Sequence, residues 1–351
     1  MTRTATALLF AASTIASGQP ANLTGAAVTL RHAEPDFGRQ LQTLASDAAP
    51  HWIAWEAPSS GDRSSCCWSS YDGSDGRPCC ARCRLEPVPS KTAVPAGVSR
   101  PIRLEGADRL TIFARASAGQ FQKIRFFSSD CPVDATGATV VWIDGVDPAA
   151  SVSFLEKVVS SGGESLESAL AALAEHGVPA ADAALERLAA RSQPRRQREK
   201  AAFWLGNARG RPGYEILRRV APDDPDEDFR RQATFAFSQS PEPEAVTTLI
   251  GMAKRDPSPA VRGQALFWLA QKAGKRAAGA IDDAIREDPD TEVKTKAVFA
   301  LTQMPDGEGV PKLIEVARTN RNAEVRKKAI FWLGQSKDPR ALAFFEEILT
   351  R

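Results

Sequence analysis

Val325 to Gln335 reads VRKKAIFWLGQ, and the chain has written it before. One step of 32 residues back stands VKTKAVFALTQ, from Val293. Further equal steps give VRGQALFWLAQ from Val261, FRRQATFAFSQ from Phe229 and QREKAAFWLGN from Gln197. A fainter sixth copy, SLESALAALAE, begins at Ser165. The anchor alanines Ala169, Ala201, Ala233, Ala265, Ala297 and Ala329 never leave register. Self-similarity at a fixed period of this size marks a solenoid, in which each unit buries its apolar face against the next.

Each period predicts two helices. In the first, apolar residues fall at the anchor and four residues to either side, as in Val261, Ala265 and Leu269, which is one helical stripe. In the second they fall 16 and 19 residues past the anchor: Leu185 and Leu188, Leu217 and Val220, Leu249 and Met252, Ile281 and Ala284, Leu313 and Val316, Phe345 and Ile348. Three residues past the anchor, small and large alternate as Ala172, Trp204, Ala236, Trp268, Ala300 and Trp332. The expectation is that each Trp fills the space beside a neighbouring Ala so that layers interdigitate; the rival is a ring of exposed tryptophans for binding.

A polar register runs beside the apolar one. Arg198, Arg230, Arg262, Lys294 and Arg326 stand three residues before their anchors, and Ser192, Asp224, Asp256, Asp288 and Asn320 six residues earlier still. Acid tracking base this closely predicts two parallel ladders, each Arg bridging the Asp of its own repeat and of the next. The alternative is a basic stripe for an anionic ligand. This register of Asp, base, anchor alanine and apolar residue, over about 190 residues, resembles HEAT repeats, and the short period is similar to the bacterial HEAT-like repeats named after phycobiliprotein lyases. The resemblance implies an α/α superhelix, and Asp224, Asp256 and Asp288 with Arg230, Arg262 and Lys294 match that family's ladder. The first repeat departs from it, with Leu166 at the basic position. The N-terminal half, with WIAWEAP, the CCW cluster and SSDCP from Ser128, looks like the front end of exported bacterial HEAT proteins.

That N-terminal half reads as a small cysteine-rich antiparallel β domain over residues 46–147. His51-Trp-Ile-Ala-Trp-Glu predicts a strand, with Trp52 and Ile53 on opposite faces. Pro101–Leu104, Arg109–Ala114, Phe121–Phe127 and Thr139–Ile143 predict four more, with a turn at Ala118-Gly119. Before the domain lies a linker, residues 19–45, with a short helix through Phe37, Leu41 and Leu44. After it lies a linker helix within 148–163, then six repeats over 164–351.

All six cysteines fall in this half: Cys66, Cys67, Cys79, Cys80, Cys83 and Cys131. Behind an export signal an even count favours disulfides, with 15 possible pairings for six cysteines. A zinc site built on Cys80-x-x-Cys83, or a redox role for that pair, are the alternatives. Asp72 and Asp75 do not have the spacing of an EF-hand loop. Residues 1–18 read as the signal: Arg3, an apolar run from Ala5 to Ala16, and small residues at Ala16-Ser17-Gly18. No later stretch is long and apolar enough to span a bilayer.

Catalytic motifs are absent from the sequence: no HExxH, no GxSxG, no phosphate loop. His32, His51 and His176 have no ligand or nucleophile at useful spacing, and neither a metal nor a cofactor is expected. From residue 151 onward 31 Lys and Arg face 29 Asp and Glu, a net of +2, whereas nucleic-acid binding wants a basic stripe. The reading is therefore an exported, non-catalytic scaffold that binds a protein partner through the second helices. Arg187, Arg218, Lys254, Asp283, Arg286 and Lys312 are the candidate contacts. Its alternative is an enzyme or redox module with its chemistry around Cys80 and Cys83.

Overall fold

A computed structural model describes residues 23–60, 83–86, 108–129 and 131–350. The expected signal, Cys66, Cys67, Cys79, Cys80 and the strand Pro101–Leu104 lie outside the described residues. The chain divides into two compact units, Met1–Ala57 with Gly61–Asp147, and Pro58–Ser60 with Pro148–Arg351.

The first unit runs β1 (Leu23–Thr24), β2 (Ala27–His32), α1 (Phe37–Ala45), β3 (His51–Pro58), β4 (Cys83–Arg84), β5 (Arg109–Ser117), β6 (Gln120–Ser128), β7 (Val133–Asp134) and β8 (Thr139–Asp144). Asp36 caps α1 by accepting from the Arg39 backbone at 3.0 Å, and Phe37, Leu41 and Ala45 put one buried stripe toward the sheet. Phe37 meets Trp55 of β3 edge-on at 5.4 Å. Trp52 and Ala54, on the other face of β3, join Phe113, Phe127, Val140 and Trp142 in a core that β1 and β7 close with Leu23 and Val133. Both faces of β3 are thus covered, which is why it reads as an unbroken apolar run. The β5–β6 hairpin turns at Ala118 and Gly119, both at positive φ (49° and 80°), as a two-residue hairpin loop requires.

Two expectations are corrected in this unit. The sheet is mixed, in the order β2-β8-β3-β5-β6. β2 and β3 each run parallel to β8 between them, and only β5 and β6 are shown pairing antiparallel. Alternation at period two fixes the faces of a strand and carries no information on its direction; here α1 crosses back over the sheet, so the strands on either side of it point the same way. Within the span 19–45 expected as a linker, the described residues 23–45 are not one, because β1, β2 and α1 are built into the two sheets and the core.

The second unit is a two-layer helical array of thirteen helices among the described residues. It begins with α2 (Pro148–Ser161). The helices that carry the anchors are α3 (Leu166–Ala174), α5 (Arg195–Ala208), α7 (Glu227–Gln239), α9 (Pro259–Ala273), α11 (Thr291–Thr302) and α13 (Ala323–Gln335). They alternate with α4 (Pro179–Ala189), α6 (Gly210–Val220), α8 (Glu244–Arg255), α10 (Ala278–Glu287), α12 (Val310–Thr319) and α14 (Pro339–Leu349). First helices stack on first helices from α3 to α13. All six anchor alanines are fully buried; a larger side chain there would hold the helices apart. The helix at 148–161, expected as a linker, packs on α3 and α4 as a further second-layer member. Its buried residues Val152, Leu155 and Val159 give the first repeat the neighbour that every repeat needs.

The Ala–Trp alternation lies where neighbouring repeats pack on one another. Trp268 lies across the ring of Phe235 at 4.7 Å and Trp332 across Phe299 at 4.9 Å, so each packs on the Phe next to the preceding repeat's small residue. Ala236 is buried and the backbone of α5 comes close to it: a Cβ built on Gly206 of α5 would stand 2.1 Å from the Ala236 carbonyl oxygen of α7. Ala236→Trp is therefore expected to lower stability by about 1–3 kcal/mol through overpacking. Urea unfolding of the full chain measures it, and a variant as stable as the wild type would remove the packing argument.

Candidate interaction surface

The ladder residues sit at the turns between repeats: Asp256 and Asp288 end α8 and α10, and Arg230 and Arg262 stand near the starts of α7 and α9. Arg230 donates through Nε and Nη2 to both oxygens of Asp256, at 2.9 and 3.0 Å, and Arg262 does the same to Asp288, at 2.8 and 2.9 Å. Arg198 reaches Asp224 at 2.6 Å. Each rung therefore joins one repeat to the next, and all six side chains are buried. The tie to a repeat's own Asp goes through the backbone: Arg230 Nη1 donates to the Asp224 carbonyl at 2.7 Å and Arg262 Nη1 to that of Asp256 at 2.9 Å. The Asp carboxylates also accept from the chain two residues on, at Asp226, Ser258 and Asp290. Those three residues in turn cap α7, α9 and α11. One Asp thus fixes a guanidinium, the entering loop and, through the next polar residue, the helix start.

The Asp256 carboxylate, by its hydrogen bond, raises the pKa of Arg230, and Asp288 raises that of Arg262. Burial by itself would push the Asp288 carboxyl up, but Arg262 and the Asp290 N–H hold it below its usual value. Lys294 and Arg326 do not continue the ionic rungs. The next repeat has the neutral Asn320 at the acid position, and Lys294 donates to the Arg286 carbonyl at 3.2 Å. Arg326 holds the Asn320 carbonyl at 2.7 Å.

The six candidate contacts on the second helices are all engaged with one another or with close neighbours. Arg187 forks onto Glu156 at 2.8 and 2.7 Å, and Arg218 pairs with Glu215 at 3.0 Å. Lys254 meets Asp283 at 2.7 Å; Arg286 lies between Asp282 and Asp283; and Lys312 joins Asp282 at 3.3 Å and Glu315 at 2.8 Å. Lys254, Asp283, Arg286 and Lys312 thus form one network of alternating sign across α8, α10 and α12, while Arg187 and Arg218 stand in separate pairs. Exposed pairs of this kind contribute about 0–1 kcal/mol each, and their charges cancel locally, so they present no field to a ligand.

The outward face of the first helices is different. Two residues past the anchor stand Phe203, Phe235, Phe267, Phe299 and Phe331. Phe203 stacks on Phe235 at 5.8 Å and Phe267 on Phe299 at 5.9 Å, and Trp268 links the two pairs. With Trp332 and Phe331 the rings form a continuous row over five repeats. The first four phenylalanines are half-buried, as are Trp268 and Trp332; Phe331 is exposed and Trp204 is buried. The signal is in the period itself: a Phe two residues past every anchor from Ala201 to Ala329.

The histidines acquire partners that spacing does not reveal. His32 Nδ1 lies 2.5 Å from Asp144 Oδ1, at the rim where the parallel strands β2, β8 and β3 end. Beside it Arg109 donates to Glu56 at 2.7 Å, over a depression of about 230 Å³ floored by Trp142. His51 meets the Ala49 carbonyl at 2.9 Å. His176 is fully buried in the turn between α3 and α4, with Nδ1 on the Ala172 carbonyl at 2.7 Å and Nε2 on Ser151 Oγ at 2.9 Å. Ser151 is equally buried, so this Ser–His contact braces the turn and no substrate reaches it. Arg209 closes the same turn from outside, donating to the Ala174 and His176 carbonyls and to Asp182. Residues 58–60 lie along it: the Gly177 N–H donates to the Pro58 carbonyl at 2.8 Å, and a Cβ on Gly177 would strike the Ser59 oxygen. No group of His, Cys, Asp and Glu suited to a metal occurs among the described residues, and no helix there is long and apolar enough to cross a membrane.

Residues 181–270 and 280–351 match the family described as HEAT repeats. No curated protein matches the chain. Among solved structures, human deoxyhypusine hydroxylase in complex with glycerol is similar at 19% identity and a TM-score of 0.32, covering 58% of this chain and 79% of that one; a likeness so slight locates no site. The ionic rungs, the buried anchors and the family match agree on one statement: residues 181–270 and 280–351 of the helical array are HEAT repeats.

Proposed function

We propose that the chain is an exported scaffold of the short-period bacterial type, which binds another protein along its repeat array and performs no chemistry of its own. The observation that carries this reading is the constancy of the array. Rungs, caps and stacked rings recur at one period, giving an extended surface on a rigid frame, and stacked helical repeats of this kind serve as binding surfaces. Export rests on the basic start and apolar run of the first residues and on the confinement of all cysteines to the first half, together with the bonded state of Cys131. Disulfides persist in oxidising compartments.

A photo-reactive residue placed in the full chain at Gln271 on α9, at Lys254 on α8, or at Asp47 in the first unit tests the reading in the native envelope fraction. The expected result is one discrete protein adduct from a position on the array. An adduct from Asp47 alone would place recognition in the first unit and reduce the repeats to a spacer.

A further inference from the structure

The outer face of α13 and α14, turned away from α11 and α12, has the chemistry of a junction between repeats. Of the large hydrophobic side chains exposed among the described residues, all but Leu30 lie on these two helices. Ile330 is 39% exposed, Leu342 62% and Leu349 83%. One period earlier the same positions are Val298, Val310 and Ala317, which are buried where α13 and α14 pack on α11 and α12. The end repeat of such an array ordinarily turns a polar face outward. Two charges stand on the same face. Lys327 holds the position of Gly263, where a Cβ would strike the Lys296 side chain of the following first helix. Glu346 holds the position at which Glu186 and Asp282 take Arg219 and Lys312 of the following second helix. Lys327 and Glu346 are exposed and have no ionic partner among the described residues, whereas the candidate contacts from Arg187 to Lys312 are all paired.

We infer that this face is closed by a second copy of the chain, in a two-fold dimer that lays α13 of one protomer along α14 of its partner. The face continues the interface that joins every repeat to the next, so helices of the same kind fit it. Charge selects the copy and its orientation. Three residues join α13 to α14, and helices so joined run antiparallel. The start of α13, with Lys327, therefore lies beside the end of α14, with Glu346. A two-fold axis running along the helices, between α13 and α14, keeps these ends together while exchanging the helices. Lys327 then meets the partner's Glu346, and Glu346 the partner's Lys327, around a centre of Ile330, Leu342 and Leu349. An axis across the helices would set α13 on α13 and leave the charges unmatched. Such a self-complementary contact closes at two copies. Helices of 13 and 11 residues are ~16–20 Å long and lie ~8–10 Å apart, so the contact is small and a micromolar dissociation constant is expected. The inference stands apart from the scaffold reading, since it needs no other protein.

Sedimentation equilibrium of the full chain, over about 1–100 μM, is the test. The wild type is expected to pass from monomer to dimer across that range. Leu342→Glu/Leu349→Glu sets charges into the apolar centre and is expected to weaken the dimer about hundredfold or more. Both side chains are exposed in the monomer, so the urea unfolding midpoint should stay in place. Lys327→Glu and Glu346→Lys each bring like charges together and are expected to weaken the dimer about tenfold, while the combined swap Lys327→Glu/Glu346→Lys restores it. The swap variants alter only exposed charges, and they decide the matter even if the leucine pair unfolds early. A wild type that stays monomeric throughout, or that associates without limit, would overturn the inference. So would a dimer indifferent to the leucine pair, or a combined swap as weak as its two parts. A photo-reactive chain that still captured another protein from the array would then leave the scaffold reading standing and only the dimer refuted.

Discussion

Asp256→Ala is expected to cost about 3–5 kcal/mol, the usual loss when one member of a buried ion pair is removed and the other is left behind. Arg230 is buried, and both of its donors to Asp256 sit near 3 Å. Without the carboxylate, two of its N–H groups face the interior with nothing to accept them. The same substitution takes away the acceptor for the Ser258 N–H, and Ser258 in turn caps α9. The loss therefore falls on the junction between two repeats and on the start of the helix that follows.

An array in which each repeat touches only its neighbours is stabilised by intrinsic terms plus junction terms. Weakening a central junction should thus change the shape of unfolding as well as its midpoint. Wild-type urea unfolding of the repeats is expected as one cooperative transition, and that of Asp256→Ala as a broader or split one. The double variant Arg230→Leu/Asp256→Leu removes the stranded charge and is expected to recover much of the loss, because apolar replacement of a whole buried pair is often neutral. A loss under about 1 kcal/mol for Asp256→Ala would mean that the rung behaves as an exposed pair, and the ladder could no longer be credited with holding the repeats in register.

The helical array was legible in the sequence because its cause is periodic. Ala233 and Arg230 do in their repeat what Ala265 and Arg262 do in the next, so one register read six times averages out local accidents. What the register did not reveal was which atoms it used. That Arg230 takes the next repeat's carboxylate and its own repeat's carbonyl depends on how the loop at Asp224 folds over the helix end, and a list of residue types holds no such information. The Phe row keeps the same register, one position before Trp204, Trp268 and Trp332, but residue type alone does not separate a half-buried ring from one in the core. In the first unit the strands from His51, Arg109, Phe121 and Thr139 were visible as alternation, yet their directions were not. Strand direction is decided by where α1 carries the chain, a long-range matter that alternation does not encode. The partners of His32 and His176 likewise come from residues far along the chain, Asp144 and Ser151, brought close only by the sheet and by the packing of α2 on α3.

His176 should make the repeat array acid-sensitive. Burial is the main reason its pKa falls from the ordinary 6.5 to about 4; the nearby Arg209 charge acts in the same sense, against the bond to the Ala172 carbonyl. In the folded chain the ring stays neutral, Nδ1–H donating to Ala172 and Nε2 accepting from the Ser151 hydroxyl, and protonation would set an N–H against that serine while burying a charge. The unfolded chain takes up the proton near pH 6.5. Stability due to the neutral ring is therefore complete above that pH, declines as the pH falls, and is exhausted near pH 4, a loss of about 3 kcal/mol at 1.36 kcal/mol per pH unit. Carboxylates titrate over part of the same range, so the difference between two proteins is the quantity to measure. His176→Gln keeps a donor for Ala172 and an acceptor for Ser151 but has no proton to gain. Urea unfolding at steps between pH 7 and pH 4 should show the wild type losing about 3 kcal/mol more than His176→Gln. Parallel curves would mean that the ring is already protonated, or reached by water, in the folded chain, and the brace it forms with Ser151 under the α3–α4 turn would have to be abandoned.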